Sequence, residues 1–259
     1  MTDLSAFNVT HFPSGKQNVA IINGFSALAS DPGRSAYAQD INESNNITNS
    51  QNVTGFTAAL QLLYPADSVN PSSKSPGGAE FYATPLNLSD AKNVTMEYSV
   101  FFPLDFDWVK GGKLPGLYGG HTGCSGGAAA EDCFSTRLCG GRYAPKEKQT
   151  KALCSNPQSV CDYEYGLSIG RGSFHYSRGN WTNLRQDVVL NTPGKQDGTF
   201  TLFVDGKQAI NRTDIFYLFH AANSTANTRC TFFGGHGDGW ATPKQQYTWF
   251  KDFAMTRNS

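Results

Sequence analysis

The sequence predicts an all-β fold: an antiparallel β-sandwich of jelly-roll type with a long disulfide-stapled loop insertion, in a single domain over residues 1–259. Three observations carry this. Apolar residues recur with a period of two, turn signals separate the runs, and no long amphipathic helix competes. The clearest run is Val94, Met96, Tyr98, Val100 and Phe102, alternating with Thr95, Glu97 and Ser99, as a half-buried strand requires. Residues 199–204, then Asp205-Gly206, then 207–210 read as a hairpin closed by a two-residue turn. Shorter strands are expected at residues 59–64, 187–190, 229–233 and 247–255, with turn signals such as Asn191-Thr192-Pro193-Gly194 between them. Residues 1–58 are polar and rich in Asn, Ser and Thr, with one helical candidate around residues 35–43. The stretch from Lys110 to Tyr165 is Gly-rich, Cys-rich and long. An insertion of that kind on a rigid sandwich is where chemistry usually sits.

Composition narrows the function. The chain has 259 residues, 39% of them hydrophobic, which at this length supports a large core. Lysine plus arginine equals aspartate plus glutamate at 21 each, so the basic surplus that a nucleic-acid binder needs is missing. No apolar run approaches the ~20 residues of a membrane span. With 18 Phe, 11 Tyr and 4 Trp to bury, the chain is expected to be compact rather than disordered.

Nine Asn-x-Ser/Thr sequons, at Asn8, Asn42, Asn46, Asn52, Asn87, Asn93, Asn180, Asn211 and Asn223, point to a secreted, extracellular glycoprotein. An even count of six cysteines agrees with an oxidising compartment. No Cys-x-x-Cys pair is present, which argues against structural zinc. Local bridges such as Cys124–Cys133 and Cys154–Cys161 are the preferred pairings among the fifteen that six cysteines allow. Met1-Thr2-Asp3 has neither the basic start nor the apolar core of a secretory leader, so the sequence reads as a mature or recombinant form.

Several motifs have bland explanations. Gly123-Cys124-Ser125-Gly126-Gly127 spells a nucleophile elbow, but nothing helical follows it, so a Gly-rich loop is the better reading. Gly111-Gly112-Lys113 lacks the rest of a phosphate loop. Asp105 and Asp107 have the spacing of a glycosidase pair, yet Pro103, Phe106 and Trp108 mark a strand end. Asp162 and Glu164 read as solvated loop charges. The five histidines are scattered without metal-ligand spacing. Of these, His121 and His236 sit in Gly-rich loops, where a binding role is open.

One constellation remains. Lys113 follows two glycines, Ser135 and Arg137 alternate in Cys133-Phe134-Ser135-Thr136-Arg137, and tyrosines stand at Tyr143, Tyr163 and Tyr165. On a strand, Ser135 and Arg137 share a face. Cations and phenols on a concave sheet would make a cleft for a polyanionic chain; solvated cations and core tyrosines are the alternative.

These residues also carry a family resemblance. The stretches at 111–117 and 133–137, with Tyr-Gly-Leu-Ser-Ile-Gly-Arg-Gly at 165–172, resemble the jelly-roll polysaccharide lyases of families 14 and 20, the alginate and glucuronan lyases. Phe232-Phe233-Gly234-Gly235 and Trp249-Phe250-Lys251-Asp252-Phe253 fit as well, so the resemblance spans about residues 56–254. It implies a lyase that cleaves polyuronates by β-elimination, with Lys113, Ser135 and Arg137 in the active site together with a Tyr-x-Tyr pair. Tyr143 takes the second tyrosine position, with Gly141 where the first would stand; Tyr163-Glu164-Tyr165 restores the spelling further on. Tyr143 is therefore the first choice for the base and acid, and Tyr163 or Tyr165 the fallback. His121 and Arg171 are the substrate-binding candidates. The resemblance implies an anionic polysaccharide partner, no required cofactor, a possible structural calcium with no ligand set identifiable, and a monomer. A non-catalytic, lectin-like jelly roll is the alternative from another class.

Overall fold

A computed structural model describes residues 4–22, 58–70, 74–120, 133–138, 149–162, 166–217, 228–229 and 238–259. In chain order its strands are β1 (Val9–Ser14), β2 (Val19–Ile22), β3 (Ala59–Tyr64), β4 (Glu80–Ala83), β5 (Asn93–Phe101), β6 (Tyr118–Gly119) and β7 (Phe134–Ser135). One short helix, α1 (Lys151–Ser155), precedes β8 (Val160–Asp162) and β9 (Gly166–Ser168). The rest are β10 (Trp181–Val189), β11 (Gly198–Val204), β12 (Lys207–Ile215), β13 (Thr228–Arg229) and β14 (Gln246–Arg257). Seven strands form one antiparallel sheet in the order β12-β11-β10-β5-β14-β3-β2. A three-stranded sheet, β1-β4-β13, and the β6–β7 pair lie over it, giving a jelly-roll sandwich. None of the described helices is long and apolar enough to cross a membrane.

The period of two is realised in the large sheet. Thr182, Leu184, Gln186 and Val188 of β10 are buried, and the residues between them are half-exposed. Val94, Met96, Tyr98 and Val100 of β5 point the same way, and Phe200 and Leu202 of β11 continue the layer. Across the sandwich, Phe81 and Ala83 of β4 and Phe134 and Leu117 beside β6–β7 complete one continuous apolar core. The expected hairpin is present: Asp205 (φ 49°) and Gly206 (φ 75°) both adopt left-handed backbone, as a two-residue turn that matches strand twist requires. β3 has the expected bounds and β14 extends beyond its own at both ends, whereas β10 starts six residues before the expected 187–190 and ends at Val189.

Two expectations need correction. The polar stretch of residues 1–58 offers only a helical candidate in the sequence, but β1 and β2 lie there. β1 carries Pro13 and two register irregularities against β4, so its side chains never display a clean alternation. β4 was also missed, because Phe81, Tyr82 and Ala83 are all buried and a strand covered on both faces has no polar phase to read. The helical candidate at residues 35–43 lies outside the described residues.

The insertion is stapled as expected at Cys154–Cys161, which ties α1 to β8. Thr150 caps α1, accepting from the Leu153 N–H while its own hydroxyl donates to Asp214. Burial opposes ionisation of that carboxyl, but bonds from Arg212 and Thr150 outweigh it and hold Asp214 below the usual carboxylate range. Cys133, fully buried, is disulfide-bonded too; Cys124, Cys139 and Cys230 lie outside the described residues. Five sequons fall on described residues: Asn8, Asn87, Asn180 and Asn211 are exposed and Asn93 is half-buried.

Candidate active site

The site is set by how two short segments are fixed to the large sheet. Residues 114–119 run antiparallel to 134–138. The Leu114 N–H donates to the Leu138 carbonyl (3.3 Å), Thr136 N–H donates to Leu117 O (2.8 Å), and Tyr118 pairs with Ser135. Polar groups inside the core peg this ribbon down. Tyr98 of β5 donates its hydroxyl to the Pro115 carbonyl (3.1 Å), and Gln186 of β10 donates to the same oxygen (3.3 Å). The Gln186 side-chain oxygen accepts from the Thr136 hydroxyl (2.6 Å), which in turn accepts from Leu117 N–H. The Tyr98 hydroxyl, the Gln186 amide, the Thr136 hydroxyl and the Pro115 carbonyl thereby have partners, and the ribbon's position is specified as well as its burial.

Alternation then sorts the ribbon's residues. Phe134, Thr136 and Leu138 face the core, so Ser135 and Arg137 face away from it. Ser135 is fully buried and Arg137 is 8% exposed. Gly116 makes this approach possible: an added Cβ there would stand 2.5 Å from the Arg137 nitrogen and 2.7 Å from its Cα. Lys113 is half-buried, three residues before Gly116. Its Cα therefore lies within about 10 Å of that contact.

Two phenols that the sequence reading did not select complete the described part. Tyr118 is fully buried, and its ring meets Tyr82 of β4 edge-on, with centroids 5.3 Å apart. Together with Cys133 they form a small cluster separate from the main core. The exposed ring of His11, register partner of Tyr82 on β1, lies 5.8 Å from it. Burial, and then the neighbouring Tyr118 phenol, push Tyr82 up to about 12, while the Arg137 charge pulls the other way. Arg137 and the two tyrosines thus share one electrostatic environment. Tyr118 had a usable signal, standing two residues past Gly116 in the stretch already singled out. Tyr82 had none, since nothing local links β4 to residue 137.

Other expected residues sort as follows. Tyr143, Tyr163, Tyr165 and His121 lie outside the described residues. Arg171 is exposed: its Nε donates to Ser168 and its backbone N–H to the Gln158 carbonyl. Asp105 pairs with Lys244 and Asp107 accepts from the Val109 N–H, so both stabilise a loop at the sandwich end, as their strand-end reading implied. Among the described residues no three His, Cys, Asp or Glu side chains gather to hold a metal ion.

Ser135 and Arg137 share one face of the ribbon with two phenols, and the wider comparison decides which family the chain belongs to. Residues 52–253 match the family model described as polysaccharide lyase 14. The chain belongs to that family. The lyase is similar to a marine PL-14 alginate lyase from Aplysia kurodai, with 29% identity over 78% of this chain and 83% of that one, and a TM-score of 0.67. An alginate lyase from a Chlorella virus shares the fold at 22% identity (78% and 86% of the chains, TM-score 0.62). So does an endo-β-1,4-glucuronan lyase from Trichoderma reesei, at 10% identity (95% and 90%, TM-score 0.53). No curated protein sequence matches the chain. The lyase's family model ends within β14, so strands β3 to β13, the first eight residues of β14, and Tyr82, Lys113, Tyr118, Ser135 and Arg137 fall inside it.

Proposed function

We propose that this lyase cleaves a polyuronate of the alginate or glucuronan class by β-elimination, with Arg137 and Ser135 holding the carboxylate of the sugar that loses its C5 proton. The observation that carries this is the buried guanidinium on the same ribbon face as Ser135, walled by phenols, in a family 14 chain. A carbon acid beside an ionised carboxylate is a poor proton donor until that charge is offset. A guanidinium fork offsets it with two charge-assisted hydrogen bonds, and the Ser135 hydroxyl adds a third donor. Stabilising the developing enediolate is then the dominant contribution to rate.

In the reaction a tyrosine takes the C5 proton and the C5–H electron pair forms the C4=C5 double bond. The C4–O4 bond breaks, and the proton returns to the leaving oxygen. Tyr143 is first in order for that base and acid, followed by Tyr163 or Tyr165. Lys113 supports it by favouring the phenolate or by neutralising the carboxylate.

Incubation with alginate, glucuronan and a neutral glucan tests the reading. Ultraviolet-absorbing unsaturated ends should accumulate with a polyuronate and not with the glucan, and Lys113→Ala should abolish them. Polyuronate binding without new absorbance would instead make the protein a carbohydrate-binding jelly roll.

A further inference from the structure

We propose that Tyr82 is a positioning residue for the elimination: its phenol, hydrogen-bonded to Tyr118, forms the wall that aims the Arg137 guanidinium at the substrate carboxylate, and it takes no part in proton transfer. The inference rests on the lyase reaction given above and adds a residue that neither the motifs nor the family resemblance indicated.

The geometry begins with β4. Phe81 and Ala83 face the main core, so Tyr82 between them faces the opposite side of the three-stranded sheet. There it meets Tyr118 nearly perpendicular (84°), the favoured arrangement of two rings, and is only 5% exposed. Tyr118 is the register partner of Ser135, and Arg137 follows two residues later on the same face. The two phenols therefore close one side of the space that Ser135 and Arg137 share. Water excluded from that side makes the interaction of a guanidinium with a carboxylate stronger than it is in bulk solvent.

Electrostatics decides what kind of wall this is. The Arg137 charge acts on the Tyr82 phenol and by itself would favour a phenolate. A phenolate there would supply a counter-charge to the guanidinium and compete with the substrate carboxylate. Burial and the Tyr118 hydroxyl win, keeping the Tyr82 proton in place up to about 12. Tyr82 is thus neutral across the working range and supplies no counter-charge to Arg137. The same protection makes Tyr82 a poor base, because a base needs an affinity for protons matched to the working pH.

The test is Tyr82→Phe, which keeps the ring and its contacts and removes the hydroxyl alone. Its kcat/KM on a polyuronate should fall by roughly 10- to 100-fold, the size expected when a positioned group is misplaced by a fraction of an ångström to 1 Å. Affinity for a saturated oligouronate should weaken with it. The thermal midpoint should drop only by the loss of one buried hydrogen bond, leaving the protein folded, and the shape of the pH–rate profile should match the parent. Tyr118→Phe, which removes the partner hydroxyl, should act in the same direction. Parent-like kcat/KM and affinity in Tyr82→Phe would overturn the proposal. So would complete loss of turnover together with loss of a limb of the pH profile, which would mark Tyr82 as the base. A parent protein that makes no unsaturated ends from any polyuronate would remove the reaction proposed above, and the oligouronate affinities would still decide whether Tyr82 braces Arg137.

Discussion

Replacing Arg137 by alanine is expected to lower the rate of unsaturated-end formation by about 10³-fold or more while the protein remains folded. Removing a single donor aimed at developing negative charge costs roughly 10²–10³ in rate, and Arg137 contributes a full charge as well as two donors. Because the guanidinium faces away from the main apolar core, its removal leaves the packing of β5, β10 and β11 untouched. Arg137→Lys sharpens the result. It keeps the charge and loses the planar fork, so it should recover only part of the activity. Initial rates by ultraviolet absorbance, with thermal midpoints measured in parallel, check both variants. Parent-like activity in Arg137→Ala would remove this residue from the mechanism.

Gly116→Ala is expected to have the next largest effect, although residue 116 carries no chemistry. The added Cβ would stand 2.5 Å from the Arg137 nitrogen, 2.6 Å from the Thr136 carbonyl carbon and 2.7 Å from the Arg137 Cα. All three are backbone atoms, so no side-chain rotation relieves the contact and the two segments must separate. Overpacking of this kind costs about 1–3 kcal/mol of stability. Activity should suffer more, by roughly 10²-fold, since the displaced backbone is the one that carries the guanidinium. Comparison of kcat with the thermal midpoint distinguishes the effects: a variant that keeps most of its stability and loses most of its turnover fits this account. Equal proportional losses would mean that the close approach serves folding alone.

The sheet was readable in the sequence at β3, at β5 and at the β11–β12 hairpin, and in part at β10 and β14. β5 and β10 alternate because their outer residues remain wet, and the β11–β12 turn declares itself through Asp205-Gly206. β4 was illegible for the opposite physical reason, being covered on both sides. β1 was hidden by its proline and shifted register. The same division applies to the site. Ser135 and Arg137 could be paired from the sequence because they are two apart, Ser135 ending β7 and Arg137 continuing the same ribbon, and because they carry the family's motif. Tyr82 was not, because its relation to Arg137 exists only after β4 and the β6–β7 ribbon stack. The core groups that fix the ribbon, Tyr98 and Gln186, show the limit from another side. Both occupy inward positions of strands, and an inward Gln gives no sign of its partner until Thr136 and the Pro115 carbonyl arrive.

The most direct test is a crystal structure of the Lys113→Ala protein with a saturated oligouronate bound. The account predicts one sugar carboxylate within hydrogen-bond distance of both the Arg137 guanidinium and the Ser135 hydroxyl, with a tyrosine oxygen close to C5 of that sugar. An oligouronate bound elsewhere on the protein, with Arg137 and Ser135 making no contact to any carboxylate, would contradict it.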